Sequence, residues 1–317
     1  MSHRTLELQL WIQRAWNIVT LFTLLTLLIR YDGPNSYPED LFMQGSARRL
    51  RNTRFNESIN NVHSLERLHS NRLNDVERLH SNRLNDVELF FSIANKLRPI
   101  SDKVTKHKYS ESYGTFLLPF IRRRRLMHLG IKFLEIGLGC DMNYGPGSSV
   151  KIWKELLRDT DHELWEAEID NLCVDQSRQK GLLDGINVLV GDQRNTTVLK
   201  EWLSISKGQF NIIIDDGGHA QDQIYNSFMT LWPALAPGGL YFIEDLQVCR
   251  LSDWKDESGK NRVMMDLIHS WNEQLVTGRT IIVDEKIPKG VRWIFCQSEM
   301  CVIAKCDENV LHASRCS

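Results

Sequence analysis

Excess charge of either sign is missing from this 317-residue chain, in which 39 Lys and Arg stand against 40 Asp and Glu, a formal net charge of −1. That balance gives no reason to expect nucleic acid, which rewards a clustered positive surface. Cys-x-x-Cys spacing is also missing, and the seven cysteines are an odd number spread from Cys140 to Cys316. A small disulfide scaffold and a thiolate zinc module are both excluded. Cys296, Cys301, Cys306 and Cys316 cluster near the C-terminus, which leaves either a local bridge or buried free thiols. A dinucleotide fingerprint lacks its third glycine, because Met142 stands in that place, and no Tyr-x-x-x-Lys hydride relay occurs. Both gaps count against an oxidoreductase on a Rossmann-type sheet. What remains is 42% hydrophobic and 25% charged, an ordinary globular composition. Its length suits one large domain with extra segments, or two small ones.

The run Ala15–Ile29 carries no charge but is shorter than the ~20 residues usually needed to span a bilayer. Leu10, Trp11 and Ile12 extend it upstream, Arg4 and Arg14 precede it, and Arg30 follows. With no small-residue cleavage site, residues 1–31 read as an uncleaved signal anchor, with an amphipathic or a buried helix as the alternative. That places the protein in a membrane, single-pass and type II, with its bulk in the endoplasmic reticulum or Golgi lumen. The sequons at Asn56 and Asn195 are compatible with that side of the membrane. Residues 32–62 are polar and arginine-rich and read as a linker. Glu66–Val76 then recurs unchanged as Glu77–Val87, a period of eleven close to three helical turns. Residues 63–95 are therefore expected to form a helical stalk, a candidate surface for homo-oligomers. His69 and His80 lie one repeat apart and were copied with it, too distant to share a metal.

From residue 96 to 317, strands and helix-sized segments alternate, which predicts a doubly wound α/β sheet. The expected strands are 131–136, 162–169, 186–190, 210–214 and 240–243, with 280–283, 292–296 and 300–304 forming an antiparallel edge. Ser148 and Ser149 offer an N-cap for a helix over 150–158. Trp153, Trp165, Trp202 and Trp232 fall at core positions, whereas Trp254 or Trp271 is a candidate to stack on a substrate. Arg122–Arg125 reads as a solvated helix face, with contact to anionic lipid or substrate as the alternative.

Ligands of an open parallel sheet bind outside the carboxyl ends of its strands. Here those ends are unusually polar. The first carries Glu135, Gly137 and Gly139, where glycine lets a ligand approach the backbone. The second ends in Asp170, placed for a ribose diol, and the third in Asp192 and Gln193, placed to edge an adenine. The fourth, Phe210–Ile214, empties into Asp215-Asp216-Gly217-Gly218-His219, and the fifth into Glu244-Asp245. Four acids and an imidazole gathered at one rim can hold a divalent cation beside a general base.

These motifs, together with Pro237-Gly238-Gly239 and the upstream Ser101-Asp102-Lys103, Tyr109 and Tyr113, resemble class I S-adenosylmethionine-dependent methyltransferases. They are most similar to the metal-dependent sugar O-methyltransferases of the mycinamicin type. The resemblance covers roughly residues 98–250 and implies S-adenosylmethionine and Mg²⁺ as cofactors. It implies Asp216, Glu244 and Asp245 as metal ligands, His219 as general base, and Glu135, Gly137, Gly139, Asp170, Asp192, Gln193 and Asp215 as cofactor residues. The expected partner is a hydroxyl-bearing small molecule or glycan. Gly218 in place of the usual serine, and an enlarged loop at Asn143–Gly147, depart from the family pattern. A membrane-tethered scaffold that keeps the fold without turnover is the alternative outside enzymes.

Overall fold

The structure is a computed structural model that describes residues 86–279 and 285–307. The expected anchor (1–31), the linker (32–62) and most of the stalk (63–95) lie outside the described residues, as do 280–283. Among the described residues no helix is long and apolar enough to cross a membrane.

Among the described residues seven strands form one mixed sheet: β1 Ile131–Ile136, β2 His162–Glu168, β3 Asn187–Val190, β4 Phe210–Asp215, β5 Leu235–Ile243, β6 Val291–Gln297 and β7 Met300–Lys305. Their order is β3-β2-β1-β4-β5-β7-β6. The first five run parallel, and the β6–β7 hairpin joins antiparallel to β5. The strands expected at 292–296 and 300–304 form an antiparallel edge, whereas 280–283 lies outside the described residues. Every residue of β4 is buried, as a central parallel strand covered on both faces requires. Alternate residues of one strand feed opposite cores, since side chains in a strand have a period of two. Leu134, Ile213 and Tyr241 face one apolar layer, while Phe133, Ile212 and Phe242 face the other.

The helices α1 (86–96), α2 (Leu118–Leu126) and α3 (Ser148–Leu157) supply Phe90, Leu118, Ile121, Ile152 and Trp153 to one layer. The second layer takes Leu199 and Trp202 from α5 (Thr196–Ser206), Phe228 from α6 (Gln221–Leu231) and Trp271 from α7 (Met264–Thr277). The helix α4 (Asn171–Gln179) follows β2. The four expected core tryptophans are all buried. Trp271 is fully buried as well and offers no face to a substrate.

One local expectation changes. The helix expected at 150 begins at Ser148, with Gly147 before it in a left-handed conformation (φ 74°) in place of a serine cap. Arg122, Arg123 and Arg125 are exposed and Arg124 is half-buried, in keeping with the expected solvated helix face. Arg122 pairs with Asp86, Arg124 donates to the Gly130 carbonyl and Arg125 to that of Leu156. These contacts tie α2 to α1, to the residue before β1 and to the end of α3.

Cys296 and Cys301 bridge across the β6–β7 hairpin, which settles the C-terminal alternatives in favour of a local bond, and Cys306 is also disulfide-bonded. A second bridge, Cys140–Cys173, links the loop after β1 to the first turn of α4. Its partners are too far apart in sequence for spacing alone to suggest it. Cys249 is free and buried.

Candidate active site

A cavity of about 430 Å³ opens at the carboxyl ends of β1, β2, β3 and β4, where the strand order reverses. Gly137, Gly139, Asp170, Asp192, Gln193, Asp216, His219 and Asp245 all line it, together with Ser101–Lys103, Tyr144, Glu168 and Trp254. Each strand brings its contribution for a local reason. Gly137 is glycine because the backbone itself passes close: a Cβ there would stand 2.0 Å from the Asp216 carbonyl oxygen, and its φ is +108°. The close approach is by the chain just past β4. Asp170 caps α4, its Oδ1 accepting from the Cys173 amide at 3.0 Å, and the residue also lines the cavity.

Other expected cofactor residues sit one layer behind the wall. Gln193 lines the cavity but spends its amide internally: Nε2 donates to Asp215 at 2.8 Å, and Oε1 accepts from the Gly218 amide at 2.9 Å. Asp215 itself lies outside the lining. Its carboxylate takes Gln193, Ser227 at 2.5 Å and Tyr241 at 3.0 Å, which makes it the anchor of the β4 end. Burial raises Asp215, and those three donors oppose the shift. Glu135 is likewise buried and outside the lining, accepting from Ser149 at 2.8 Å and Trp153 at 2.7 Å. Sequence reasoning also missed Glu168, whose oxygens accept from the backbone amides of Leu138, Ile169 and Asp170. It ties the β1 loop to the end of β2. Its place at the last residue of a strand was the available signal.

The acids at the ends of β4 and β5 converge, but upon a lysine. Lys103 is 1% exposed, and its Nζ lies 2.6 Å from Asp216 Oδ2, 2.7 Å from Glu244 Oε2 and 3.6 Å from Glu135 Oε1. Burial alone would lower this ammonium. The charges of Asp216 and Glu244 outweigh it and hold the group well above the ordinary lysine range. The second Glu244 oxygen accepts from the Tyr113 hydroxyl. Glu244 is therefore spent inside the protein, and of the three expected metal ligands it is the one that does not face the cavity.

Asp216, His219 and Asp245 offer donor atoms that all lie within 4.8 Å of one another. His219 Nε2 is 3.2 Å from Asp245 Oδ2 and 4.0 Å from Asp216 Oδ1. The Tyr109 hydroxyl donates to Asp245 Oδ1 at 2.7 Å, and Gln247 donates to the same oxygen at 3.0 Å. Burial pushes Asp245 up, yet His219 and these donors bring it below the usual carboxylate range. Behind it, His107 stacks on Tyr109 and pairs with Glu299 from the β6–β7 turn at 2.6 Å. Trp254 meets His219 edge-on at 5.6 Å between ring centroids. The residue set fits a hard divalent ion. Two carboxylates 20–22% exposed face a polar cavity, and Mg²⁺ is commonly held by one or two carboxylates and completes its shell with other oxygens.

Residues 137–246 match the family model described as a methyltransferase domain. Fold, strand-end residues and that match together define this region as a class I S-adenosylmethionine-dependent methyltransferase domain. The particular relatives methylate sugars on natural products. The chain is 34% identical over 152 residues to the 8-demethyl-8-alpha-L-rhamnosyl tetracenomycin-C 2'-O-methyltransferase of Streptomyces olivaceus, covering 48% of this chain and 36% of that protein. It is 34% identical over 119 residues to the mycinamicin VI 2''-O-methyltransferase of Micromonospora griseorubida, covering 37% and 27%. Among solved structures it is similar to the MycE methyltransferase from the mycinamycin pathway in complex with Mg and SAH. That likeness has 22% identity and a TM-score of 0.48, over 64% of this chain and 51% of that one. The chain thus spans about a third of the length of these curated relatives.

Proposed function

We propose that this protein transfers a methyl group from S-adenosylmethionine to a hydroxyl of a sugar, glycan or glycosylated metabolite, with help from Mg²⁺. The observation that carries the reading is His219 Nε2 standing beside Asp245 and Asp216 in the wall of the cavity that also holds Gly137, Gly139 and Asp170. When bound, S-adenosylmethionine supplies an activated methyl and Mg²⁺ supplies Lewis acidity toward vicinal hydroxyls.

The chain's own residues do the rest. Asp170 and Asp192, at the ends of β2 and β3, present acceptors for the ribose and adenine portions. Asp216 and Asp245 hold negative charge where a cation and two hydroxyls can be gripped together. Imidazole suits proton transfer near neutral pH. His219 takes the hydroxyl proton as oxygen–carbon bond formation and sulfur–carbon bond cleavage proceed. Asp245, lowered and ionised, stabilises the imidazolium that results. Trp254 lines the cavity beside His219.

The test is methyl transfer from labelled S-adenosylmethionine to a panel of glycosides. The reading expects turnover that EDTA suppresses and that His219→Ala lowers by about 10²–10⁴-fold, the usual worth of a general base. Full activity in His219→Ala would remove the imidazole from the mechanism.

The two disulfides with both partners described, and the exposed sequon residue Asn195 at the N-cap of α5, support a lumenal home for this domain. We assign residues 1–31 the anchoring role there. Loss of mass at Asn195 on glycosidase treatment checks it.

A further inference from the structure

Lys103 occupies the position that a metal shared by Asp216 and Glu244 would need. It arrives on a short helical turn, Asp102–Thr105, capped by the Ser101 hydroxyl. Its ammonium is buried to 1% and contacts both carboxylates at 2.6–2.7 Å. Mg²⁺ sits about 2.0–2.1 Å from its oxygen ligands. An ion bridging the same two oxygens would overlap the Nζ atom, so the two cations exclude each other.

The exposures of the three acids divide them further. Glu244 is 1% exposed, with one oxygen on Lys103 and the other on Tyr113. Asp216 and Asp245 are 22% and 20% exposed, and each keeps an oxygen directed toward His219.

We propose that Lys103 is a resident counter-cation that withholds Glu244 from the metal, so that a divalent ion is gripped by Asp216 and Asp245 without Glu244. Lys103 is then a positioning residue. It fixes Asp216 through one oxygen and leaves the other for the ion. Glu244 has the task of holding Lys103 and Tyr113. A hard ion satisfied by carboxylate and substrate oxygens leaves His219 Nε2 unligated and available for a proton.

The inference rests on the metal-assisted reading above, and its test separates the two. Mn²⁺ is titrated into the full chain and into variants, with binding read by electron paramagnetic resonance and no turnover needed. Glu244→Gln is expected to keep the Mn²⁺ Kd within about 3-fold of wild type, while Asp216→Asn and Asp245→Asn each weaken it at least 10-fold. Lys103→Met, which frees Glu244, is expected to tighten Mn²⁺ binding about 10-fold. Should that variant fail to fold, Lys103→Met/Glu244→Gln removes the buried pair together and is expected to bind like wild type. Loss of binding in Glu244→Gln equal to that in Asp216→Asn would overturn the proposal and leave the metal-assisted reading standing. No Mn²⁺ binding by any of these proteins, with methyl transfer intact in EDTA, would overturn both.

Discussion

His219 and Asp245 both sit in the left-handed region of backbone space, at φ of 53° and 54°. Side chains other than glycine are uncommon there and cost of order 1–3 kcal/mol when held. Two such residues facing each other across the rim suggest that stability was traded for placement of these groups. Glycine adopts the same φ without the penalty. His219→Gly should therefore be more stable than His219→Ala, by about 1 kcal/mol in a denaturant titration, although both lack the imidazole. Equal stability of the two variants would mean the backbone at 219 is relaxed.

Glu135 makes a second prediction at this scale. Burial raises it from 4.5 to about 7, Lys103 opposes that shift and the charge of Asp216 adds to it. The native state then binds more protons than the unfolded chain between those two values, so stability falls as pH rises through that window. The contribution is at most about 3 kcal/mol. Glu135→Gln should flatten Tm against pH over roughly pH 4.5–7. An unchanged slope would assign the dependence to other groups.

At the scale of elements, the site is made by strand ends pressed against one another. Gly137 shows this best, with its Cβ position filled by the Asp216 carbonyl. Gly137→Ala must push β1 from β4 and adopt an unfavourable φ, at a cost of about 2–4 kcal/mol. A loss below about 1 kcal/mol by denaturant titration would show that the two ends separate easily. These strands were legible in the sequence because β-branched runs ending in Gly and Asp mark both their type and their polarity. Five strand positions and the rim residues Asp170, Asp192, Asp216, His219 and Asp245 follow from that pattern. What the pattern does not contain is direction behind the rim. Asp215 and Asp216 are neighbours of one chemical type, yet alternation sends one into the Gln193–Ser227–Tyr241 network and the other to the cavity. Lys103 was visible as part of the upstream segment in the family resemblance, but its place among the acids was not. A lysine on a short polar turn reads as solvated, and only the tertiary approach of three acids makes it a core residue.

For the whole molecule, the matched region 137–246 is not self-sufficient. Asp216, Glu244 and Glu135 share an ammonium that comes from far upstream, and Tyr109 and Tyr113 come with it. Removing one partner of a buried ion pair typically costs 3–5 kcal/mol. A fragment trimmed to begin at β1 would enclose those acids with no cation among them. It should be recovered as aggregate or melt far below a fragment beginning at residue 86, in side-by-side thermal scans. The covering strap of residues 101–113 is thus as much a part of the folding unit as the sheet it overlies, and anyone excising this catalytic module must carry the strap along.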